Sequence, residues 1–277
     1  MVRRRWLTVL LTSLGAMIGC SHASAVTLSI THGLPGQVVK KDTQAVVLLA
    51  GDIESGDAAR FEDFLFDHSG ENGEITGRVT VLLNSPGGDV EEAMKLAAVL
   101  RELMATVVVF QPHRCASACF LLYVDAPIRF ADPAALAVHR PFLPRDRVQK
   151  LNAAEAAKLH NSIYETTRKW LQDRFVPQTL IDKMLSASSA DAYWLTASDV
   201  ASLGRRAPWY EEWLLARCPD VDRVEEAYLR TKSKQERDQF EPLLTKQRHC
   251  EFDALDNQIT IGALQVFARA VLRRPSH

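Results

Sequence analysis

Three short segments of this chain carry residue types that could together perform acyl transfer. The turn 85–88 (SPGG) closes an apolar strand, Ser117 lies in a turn of small residues at 115–119 (CASAC), and His139 ends another apolar run. A serine hydroxyl becomes a nucleophile when a neighbouring base takes its proton, and backbone N–H groups can stabilise the oxyanion that forms. The order of the three segments therefore predicts a serine hydrolase site, although each segment is common on its own.

The elements that must position these segments follow from hydrophobic patterning. Runs of β-branched and aliphatic residues predict strands, at 44–49, 78–83, 106–110, 128–130 and 136–138. Apolar residues at helical spacing predict helices over 57–68 and from Asp89 to about Leu100. Strands and helices that alternate at this pitch form right-handed βαβ crossovers and a largely parallel sheet. The predicted fold class is α/β.

The second half of the chain has mainly helical patterns. A polar helix is predicted over 145–174, a shorter one follows Pro177, and 194–204 is typical of a strand end, a helix and its glycine stop. From Pro208 the chain becomes aromatic and charged, and then helical. We predict three parts: a signal peptide at 1–25, an α/β domain at 26–208 and a helical C-terminal appendage at 209–277.

The N-terminal segment has the pattern of a bacterial secretory signal peptide. Three arginines at 3–5 precede a short apolar run, and 23–25 (ASA) fits a cleavage site after Ala25. The run is shorter than the roughly 20 apolar residues of a membrane span. An alternative lies in 17–20 (MIGC), which loosely resembles a lipobox and would leave Cys20 as a lipid anchor. Both interpretations predict export, to the periplasm or to the medium.

Composition and charge exclude some function classes. The chain of 277 residues carries 33 Lys and Arg against 34 Asp and Glu, and residues 1–25 contain three arginines and no acid. A mature chain that is slightly acidic gives no reason to expect a nucleic-acid partner or an anionic membrane surface. Removal of that segment leaves about 250 residues, which is enough for one α/β domain and an appendage.

Four cysteines remain after the signal peptide, at 115, 119, 218 and 250. An even number in an exported chain predicts two disulfides, for which three pairings exist. The spacing favours Cys115 with Cys119 and Cys218 with Cys250, and the alternative for the first pair is two buried free thiols. The C-x3-C spacing has no matching second pair of ligands, so no metal site is predicted, and no motif calls for a cofactor.

The motifs together resemble those of a known family, the proteolytic subunit of Clp protease, and more broadly the ClpP/crotonase superfamily and its exported, Clp-like branch. The resemblance covers roughly residues 44–207 and rests on five motifs: Gly51-x-Ile53, 85–88, the Ser117 turn, His139-x-Pro141 and the helix 196–204. It implies a spiral of βαβ units and, in members that hydrolyse peptides, a Ser-His-Asp triad. It leaves the helical appendage unexplained.

The resemblance implies a role for each motif. Ser117 would be the nucleophile and His139 its base. Gly87 would shape the turn, and the amides of Gly88 and Ala118 would form the oxyanion hole. Glycine suits this place because a backbone amide can then approach a substrate carbonyl without a Cβ clash.

The third member of the triad departs from the family pattern. The family's aspartate falls at Ala192 in this sequence, and Asp191 lies one residue earlier. We predict that Asp191 orients His139, although a shift of one residue reverses side-chain direction in an extended segment. The alternatives are structural: Asp191 and Ser117 could each cap a helix, and His139 could be a surface histidine.

Three function classes follow from these residues. The first is an exported serine hydrolase, a peptidase that forms an acyl-enzyme at Ser117 on a peptide or protein substrate. The second is a catalytically silent binding or scaffold protein on the same fold. The third, an acyl-CoA enzyme of the crotonase type, is disfavoured because an exported protein has little access to CoA. The resemblance also implies a homo-oligomer, since the helix 146–174 occupies the place of the family's oligomerising handle, and no ATPase partner is expected outside the cytoplasm.

Export predicts a defined mature N-terminus. We expect cleavage between Ala25 and Val26, because the small residues at 23 and 25 fit signal peptidase. N-terminal sequencing of protein recovered from a bacterial periplasmic fraction checks this. A start at Met1 in cytosolic protein would contradict export, and a lipid-modified Cys20 would contradict the soluble form.

Overall fold

The computed structural model describes most of the chain that follows residue 24. The described residues are 25–34, 45–70, 73–75, 77–143, 145–188, 190–219, 224, 227–228, 230–231 and 233–274. The three arginines and Cys20 of the predicted signal peptide lie outside these ranges. None of the helices within these ranges combines the length and the hydropathy that a membrane span requires.

Strands and helices alternate along the first half of the structure. The strands are β1 (Thr27–His32), β2 (Ala45–Ala50), β3 (Thr80–Asn84), β4 (Thr106–Val109), β5 (Cys115–Ala116), β6 (Ile128–Ala131), β7 (Leu136–Val138) and β8 (Tyr193–Trp194). The helices are α1 (Asp57–Asp67), α2 (Val90–Glu102), α3 (Cys119–Asp125), α4 (Arg145–Val148), α5 (Ala153–Gln172), α6 (Gln178–Ser186), α7 (Ala197–Leu203), α8 (Pro208–Leu215) and α9 (Lys234–Arg273). Each predicted strand in the α/β part is present, with its ends within two residues of the prediction.

The main sheet has five strands in the order β1-β2-β3-β4-β6. β2, β3, β4 and β6 run parallel, and β1 pairs antiparallel with β2 at the edge. Parallel neighbours need crossover connections, and α1 and α2 supply two of them. Buried side chains of these helices, among them Phe61, Leu65, Leu96 and Leu100, share one core with the strands. The predicted α/β class, with βαβ units and a C-terminal helix, is confirmed.

A smaller sheet, which the sequence patterns do not predict, joins β5, β7 and β8. β5 runs parallel to β7, and β8 runs antiparallel to β7. β5 and β8 have two residues each, which is too few to show an alternating pattern. This sheet positions the candidate site, because the predicted nucleophile follows β5 and the predicted base follows β7.

One buried cation, Arg129 in β6, ties two helix ends to the main sheet. Its side chain is almost inaccessible to water, and its guanidinium donates to the carbonyls of Val124, Leu203 and Gly204. These carbonyls belong to the C-terminal ends of α3 and α7, where the helix dipole favours a cation. Burial lowers the pKa of Arg129 below its usual value, and the three carbonyls replace part of the lost hydration.

The predicted helical appendage contains the long helix α9, which packs on α1 and α2. Gly262 faces the carbonyl of Glu102 so closely that a Cβ there would overlap the oxygen. Arg269 lies between two carboxylates, with Nε 2.7 Å from Glu62 Oε1 and NH2 2.6 Å from Glu102 Oε2. Arg273 adds a second ion pair to Glu62, also at 2.6 Å. The boundary between domain and appendage stays a prediction.

Both predicted disulfides are present. The Cα–Cα distance is 5.3 Å for Cys115–Cys119 and 5.9 Å for Cys218–Cys250. The second bond joins the segment after α8 to the middle of α9. Beside it, Tyr210 Oη donates to Glu251 Oε1 at 2.8 Å, so a covalent bond and a hydrogen bond hold the two helices of the appendage together.

Removal of the second disulfide should destabilise the protein. We expect Cys218→Ala/Cys250→Ala to lower the free energy of unfolding by about 3–4 kcal/mol, because the bond closes a long loop in the unfolded chain. Urea unfolding of the oxidised protein measures the loss. As a control, reductant added to this double variant should show only the effect of the Cys115–Cys119 bond. Equal unfolding free energies for variant and wild type would contradict a stapling role.

Candidate active site

The SPGG turn connects the two sheets. Ser85 and Cys115 form a parallel bridge. The Ser85 N–H donates to the Arg114 carbonyl at 2.8 Å, and the Ser85 carbonyl accepts from the Ala116 N–H at 3.0 Å. The turn therefore extends β3 alongside β5, and it brings the glycines that follow to the segment that carries Ser117.

The second half of the turn is held against the loop that follows β2. The Ile53 N–H donates to the Gly87 carbonyl at 2.7 Å, and the Ile53 carbonyl accepts from the Asp89 N–H at 2.8 Å. Asp89 then caps α2, because its Oδ1 accepts from the Glu92 N–H at 2.9 Å. The turn is thus fixed on both sides by backbone hydrogen bonds.

Two glycines are required where this turn meets its neighbours. Both have positive φ, +105° at Gly87 and +142° at Gly88. A Cβ on Gly87 would lie 2.6 Å from Ser117 Cβ and 2.8 Å from the Ala118 nitrogen. A Cβ on Gly88 would lie 2.7 Å from the Ile53 nitrogen and would overlap its carbonyl. This packing therefore admits only glycine at both positions.

Ser117 adopts a left-handed backbone conformation, with φ of +56°. Such a conformation is uncommon for a residue with a side chain and costs about 1–3 kcal/mol. The Ser117 N–H donates to the Ala137 carbonyl at 3.0 Å, and its carbonyl accepts from the Phe120 N–H at 3.0 Å. The Cys115–Cys119 disulfide encloses the same segment. Ser117 is therefore a strained residue at a sharp strand-to-helix turn, a feature that is frequent at functional sites.

Two backbone amides beside Ser117 are free to bind an anion. Within the described part of the chain, the N–H groups of Gly88 and Ala118 donate no hydrogen bond. The N–H of Gly87, in contrast, donates to Ser85 Oγ at 3.1 Å. The N–H groups of Gly88 and Ala118, which the sequence predicts as the oxyanion-hole donors, are therefore available. The N–H of Gly87 instead stabilises the turn itself.

His139 follows β7, and it is 8% exposed. β5 and β7 are parallel neighbours with Ala116 opposite Ala137, so Ser117 and His139 leave adjacent strands at the same edge of the small sheet. His139 Nδ1 lies 2.9 Å from the Arg140 carbonyl oxygen. Because a carbonyl can only accept, Nδ1 carries the proton and Nε2 keeps the lone pair that a general base needs.

The candidate nucleophile and base are not hydrogen bonded to each other. Among the residues that the structure describes, neither Ser117 Oγ nor His139 Nε2 has a hydrogen-bond partner. Catalytic hydrogen bonds are often long in a free enzyme and shorten when substrate is present. Ser117 lines the cavity described below, whereas His139 is buried beside it on the adjacent strand end.

No hydrogen bond joins Asp191 to His139 among the described residues. Its side chain is exposed, its Oδ2 lies 3.4 Å from Ser188 Oγ, and its N–H donates to the same hydroxyl at 3.0 Å. The antiparallel register of β7 and β8, continued by one residue, places Ala192 opposite His139. Opposite residues share one face of a sheet, so this register favours position 192 over Asp191, which lies in a bend outside β8, as the neighbour of His139. Its role as the orienting acid stays a prediction.

A second polar cluster, which the sequence patterns do not reveal, holds β8 against α6 and α7. Tyr193 Oη donates to Asp199 Oδ2 at 2.7 Å, and Lys183 Nζ donates to Asp199 Oδ1 at 2.7 Å. Asp199 also completes a capping box with Thr196 at the start of α7. Although burial opposes it, these hydrogen bonds hold the pKa of the Asp199 carboxyl well below its usual range. The cluster fixes the strand that pairs with β7.

A cavity of about 600 Å³ adjoins Ser117. Its walls come from the loop after β2, the turn before α2, the segment after β7, and α4 and α5. Gly88 lies on the same wall as Ser117, and Phe142, which is 55% exposed, lies on an apolar part of the lining. This volume suits a small ligand or part of a peptide. Within the described ranges, no group of three or more His, Cys, Asp or Glu side chains is placed to hold a metal ion.

Comparisons with known proteins give matches only among solved structures. No family model matches the chain, and no curated protein matches it. The chain is similar to a mutant of the membrane-bound stomatin-specific protease 1510-N, with 17% identity, a TM-score of 0.41, and coverage of 62% of this chain and 82% of that one. It is also similar to a mutant of ClpP1 from Listeria monocytogenes, with 20% identity, a TM-score of 0.41, and coverage of 57% and 86%. These similarities concern the fold alone.

The close packing at Gly88 predicts different outcomes for two glycine substitutions. Gly88→Ala should lower the free energy of unfolding by about 1–3 kcal/mol through backbone strain, and by a similar further amount because its Cβ overlaps Ile53. Gly56→Ala is the control, since Gly56 also has positive φ, +96°, but nothing lies within 4 Å of an added Cβ. Urea unfolding measures both. Equal losses would contradict the close approach of the turn to Ile53.

Proposed function

We propose that this protein is an exported serine hydrolase that cleaves peptides through an acyl-enzyme at Ser117. One observation carries the proposal. A serine in a strained conformation stands beside two unpaired backbone amides, those of Gly88 and Ala118, at the wall of a cavity. A nucleophile and an oxyanion hole require this combination.

The alternative role of Ser117 as a helix cap has little support. A capping serine normally has extended backbone angles and accepts a hydrogen bond from the first turn of the helix. Ser117 instead has φ of +56°, and the residue that precedes α3 is Ala118, with no side-chain cap. The strain at Ser117 therefore needs another explanation, and presentation of its hydroxyl to the cavity provides one.

The proposed reaction begins with a substrate carbonyl at the cavity wall. Ser117 Oγ attacks the carbonyl carbon while His139 Nε2 takes the hydroxyl proton. The oxyanion accepts hydrogen bonds from the N–H groups of Gly88 and Ala118. His139 then gives the proton to the leaving amine as the C–N bond breaks, which leaves the acyl-enzyme. Water, deprotonated by His139, hydrolyses the ester and restores Ser117.

The geometry favours a Ser-His dyad oriented by a backbone carbonyl over the triad that the sequence predicts. The Arg140 carbonyl accepts from His139 Nδ1 at 2.9 Å, so it selects the tautomer that a triad aspartate would select. A neutral carbonyl stabilises an imidazolium less than a carboxylate does, so turnover should be slower than in a triad enzyme. Asp191 as third member is the alternative, and it requires the carboxylate to leave Ser188.

Location and partners form a further part of the proposal. Two disulfides are compatible with an oxidising compartment outside the cytoplasm, which supports a periplasmic or secreted protein. We propose a peptide or protein substrate, assembly of identical subunits through the region of α5, and no ATPase partner.

A catalytically silent binding protein is the second candidate function. The contact of Asp191 with Ser188 favours it, as does the lack of a hydrogen bond between Ser117 and His139 among the described residues. In that case the cavity would bind a peptide without cleaving it.

Fluorophosphonate labelling tests the nucleophile directly. We expect the wild type to be labelled at Ser117, as located by peptide mapping, and Ser117→Ala to lose both labelling and hydrolysis. His139→Ala should lower the labelling rate by about 10³-fold or more, with an unchanged circular dichroism spectrum.

Ser55→Ala is the matched control, because Ser55 lines the same cavity and is assigned no base. It should be labelled like the wild type. A folded wild type that is neither labelled nor able to hydrolyse a small ester would favour the binding protein instead.

Substitutions at Asp191 and Ala192 distinguish the dyad from the triad. If the Arg140 carbonyl orients His139, Asp191→Asn should change turnover by less than about threefold, whereas loss of a triad aspartate costs about 10⁴-fold. Ala192→Asp should raise turnover, because it adds a carboxylate opposite His139, and Ala192→Asn is its uncharged control. Steady-state hydrolysis of one ester substrate measures all three. A large loss in Asp191→Asn would establish the triad.

A further inference from the structure

Charge is distributed unevenly around the cavity beside Ser117. Four of its lining residues carry carboxylates, and one carries a guanidinium: Asp52, Glu54, Asp89, Glu91 and Arg147. Asp52 and Glu54 lie in the loop after β2, and Asp89 and Glu91 lie at the start of α2. These are the two segments that the SPGG turn holds together, so the acidic wall and the candidate oxyanion hole share one rigid support.

The acids of the cavity differ from their neighbours in sequence. The neighbouring acids are buried and paired, Asp57 with Arg60 and Glu92 with Lys95. Within the described residues, no ion pair involves any of the four cavity carboxylates. Asp89 uses only Oδ1, to cap α2. The chain therefore neutralises the acids behind the cavity wall and leaves those that line it open.

Neither of the two nearby cations, Lys95 and Arg147, cancels this charge. Lys95 interacts electrostatically with Asp89 and Glu91, but its ammonium is hydrogen bonded to Glu92 at 3.0 Å. Arg147, on α4, is the one cation among the described lining residues, against four carboxylates. The cavity thus carries an excess of negative charge that a ligand can neutralise.

Apolar side chains complete the cavity. Ile53 and Val90 come from the same segments as the carboxylates, and Phe142 and Ile163 come from the opposite side. Lysine and arginine have a long aliphatic stem and a charged end, and such side chains bury the stem on apolar surface while the charge remains near water or acids. The cavity offers both kinds of surface next to Ser117.

We propose that this cavity binds a lysine or arginine side chain of the peptide substrate, adjacent to the scissile bond. The inference rests on the proposed function of Ser117, because the cavity is placed relative to that hydroxyl. The aliphatic stem lies along Phe142 and Ile163, and the cation reaches the carboxylates of Glu54 and Glu91. Carboxylates on one wall attract cationic substrates and repel acidic ones, so they act on selectivity more than on the chemical step.

Three irreversible probes test this preference. Peptidyl diphenyl phosphonates that differ only in a lysine, norleucine or glutamate side chain react with an active serine and match each other in length. We expect the lysine probe to label Ser117 about tenfold faster than the norleucine probe, the size expected for two exposed charge pairs, and the glutamate probe to be slowest. The lysine preference should shrink between 0.05 and about 0.5 M NaCl because salt screens exposed charges.

Substitutions identify the residues responsible. Glu54→Gln/Glu91→Gln should lower the ratio of lysine to norleucine labelling to about twofold, and Glu54→Lys/Glu91→Lys should invert the order of lysine and glutamate probes. Asp89 is left intact because it caps α2. Glu74→Gln is the matched control: Glu74 is exposed and adjoins the other end of α1, so its ratio should equal that of the wild type.

The outcomes separate this inference from the proposed function. If no phosphonate and no fluorophosphonate labels the folded protein, the hydrolase proposal fails, and this inference fails with it. If Ser117 is labelled but the lysine probe has no advantage over norleucine, only the cationic preference is overturned. An advantage that persists unchanged in Glu54→Gln/Glu91→Gln would also overturn the assignment of these carboxylates.

Discussion

The close approach of the Gly87–Gly88 turn to two other backbone segments is the constraint on which the candidate site depends. On one side the turn meets the amide and carbonyl of Ile53, and on the other it meets Ser117 Cβ and the Ala118 nitrogen. No side chain fits on either glycine at these contacts, and the ends of β2, β3 and β5 are held together mainly by backbone hydrogen bonds, with one further bond from the Arg114 N–H to Asn84 Oδ1. Positions set in this way depend on hydrogen-bond geometry and not on side-chain rotamers, which suits an oxyanion hole. The two free amides are therefore defined by the packing of the fold.

Buried charge and exposed charge have different roles in this molecule. Asp125, which is 2% exposed, is held by Arg101 at 3.1 Å and Arg174 at 2.8 Å, and Arg129 is held by helix-end carbonyls. Such groups need partners because an unpaired buried charge is strongly destabilising. The carboxylates of the cavity lie where water reaches them, so folding does not require them to be paired. Asp89 and Glu91 also stabilise the start of α2, Asp89 as its N-cap and Glu91 in its first turn, and the cationic preference proposed above would give all four carboxylates a common role.

Sequence patterns predict four of the five strands of the main sheet, all except β1, and they predict the small sheet and its geometry poorly. Runs of three to six consecutive aliphatic residues, as in β2 to β4, are a clear signal of buried strands. β5 is too short for any such signal, and at β8 the sequence indicates only a strand end near Trp194, so the register of β7 and β8 could be found only in the structure. Sequence analysis also cannot identify the Arg140 carbonyl as a partner of His139, because every residue has a backbone carbonyl. The acidic wall joins residues from separate loops, which become neighbours only after folding.

The turn that carries Ser117 shows how a strained segment can be maintained. The left-handed conformation of Ser117 costs about 1–3 kcal/mol, and the Cys115–Cys119 bond encloses it in a loop of five residues. Closing so short a loop stabilises the folded chain by about 2 kcal/mol in the chain-entropy model, which is similar in size to the strain. Two further backbone hydrogen bonds, to Ala137 and from Phe120, hold the same residue. The disulfide, the hydrogen bonds and the steric contact with Gly87 therefore act on one backbone conformation, and together they offset the cost of holding Ser117 at the cavity wall.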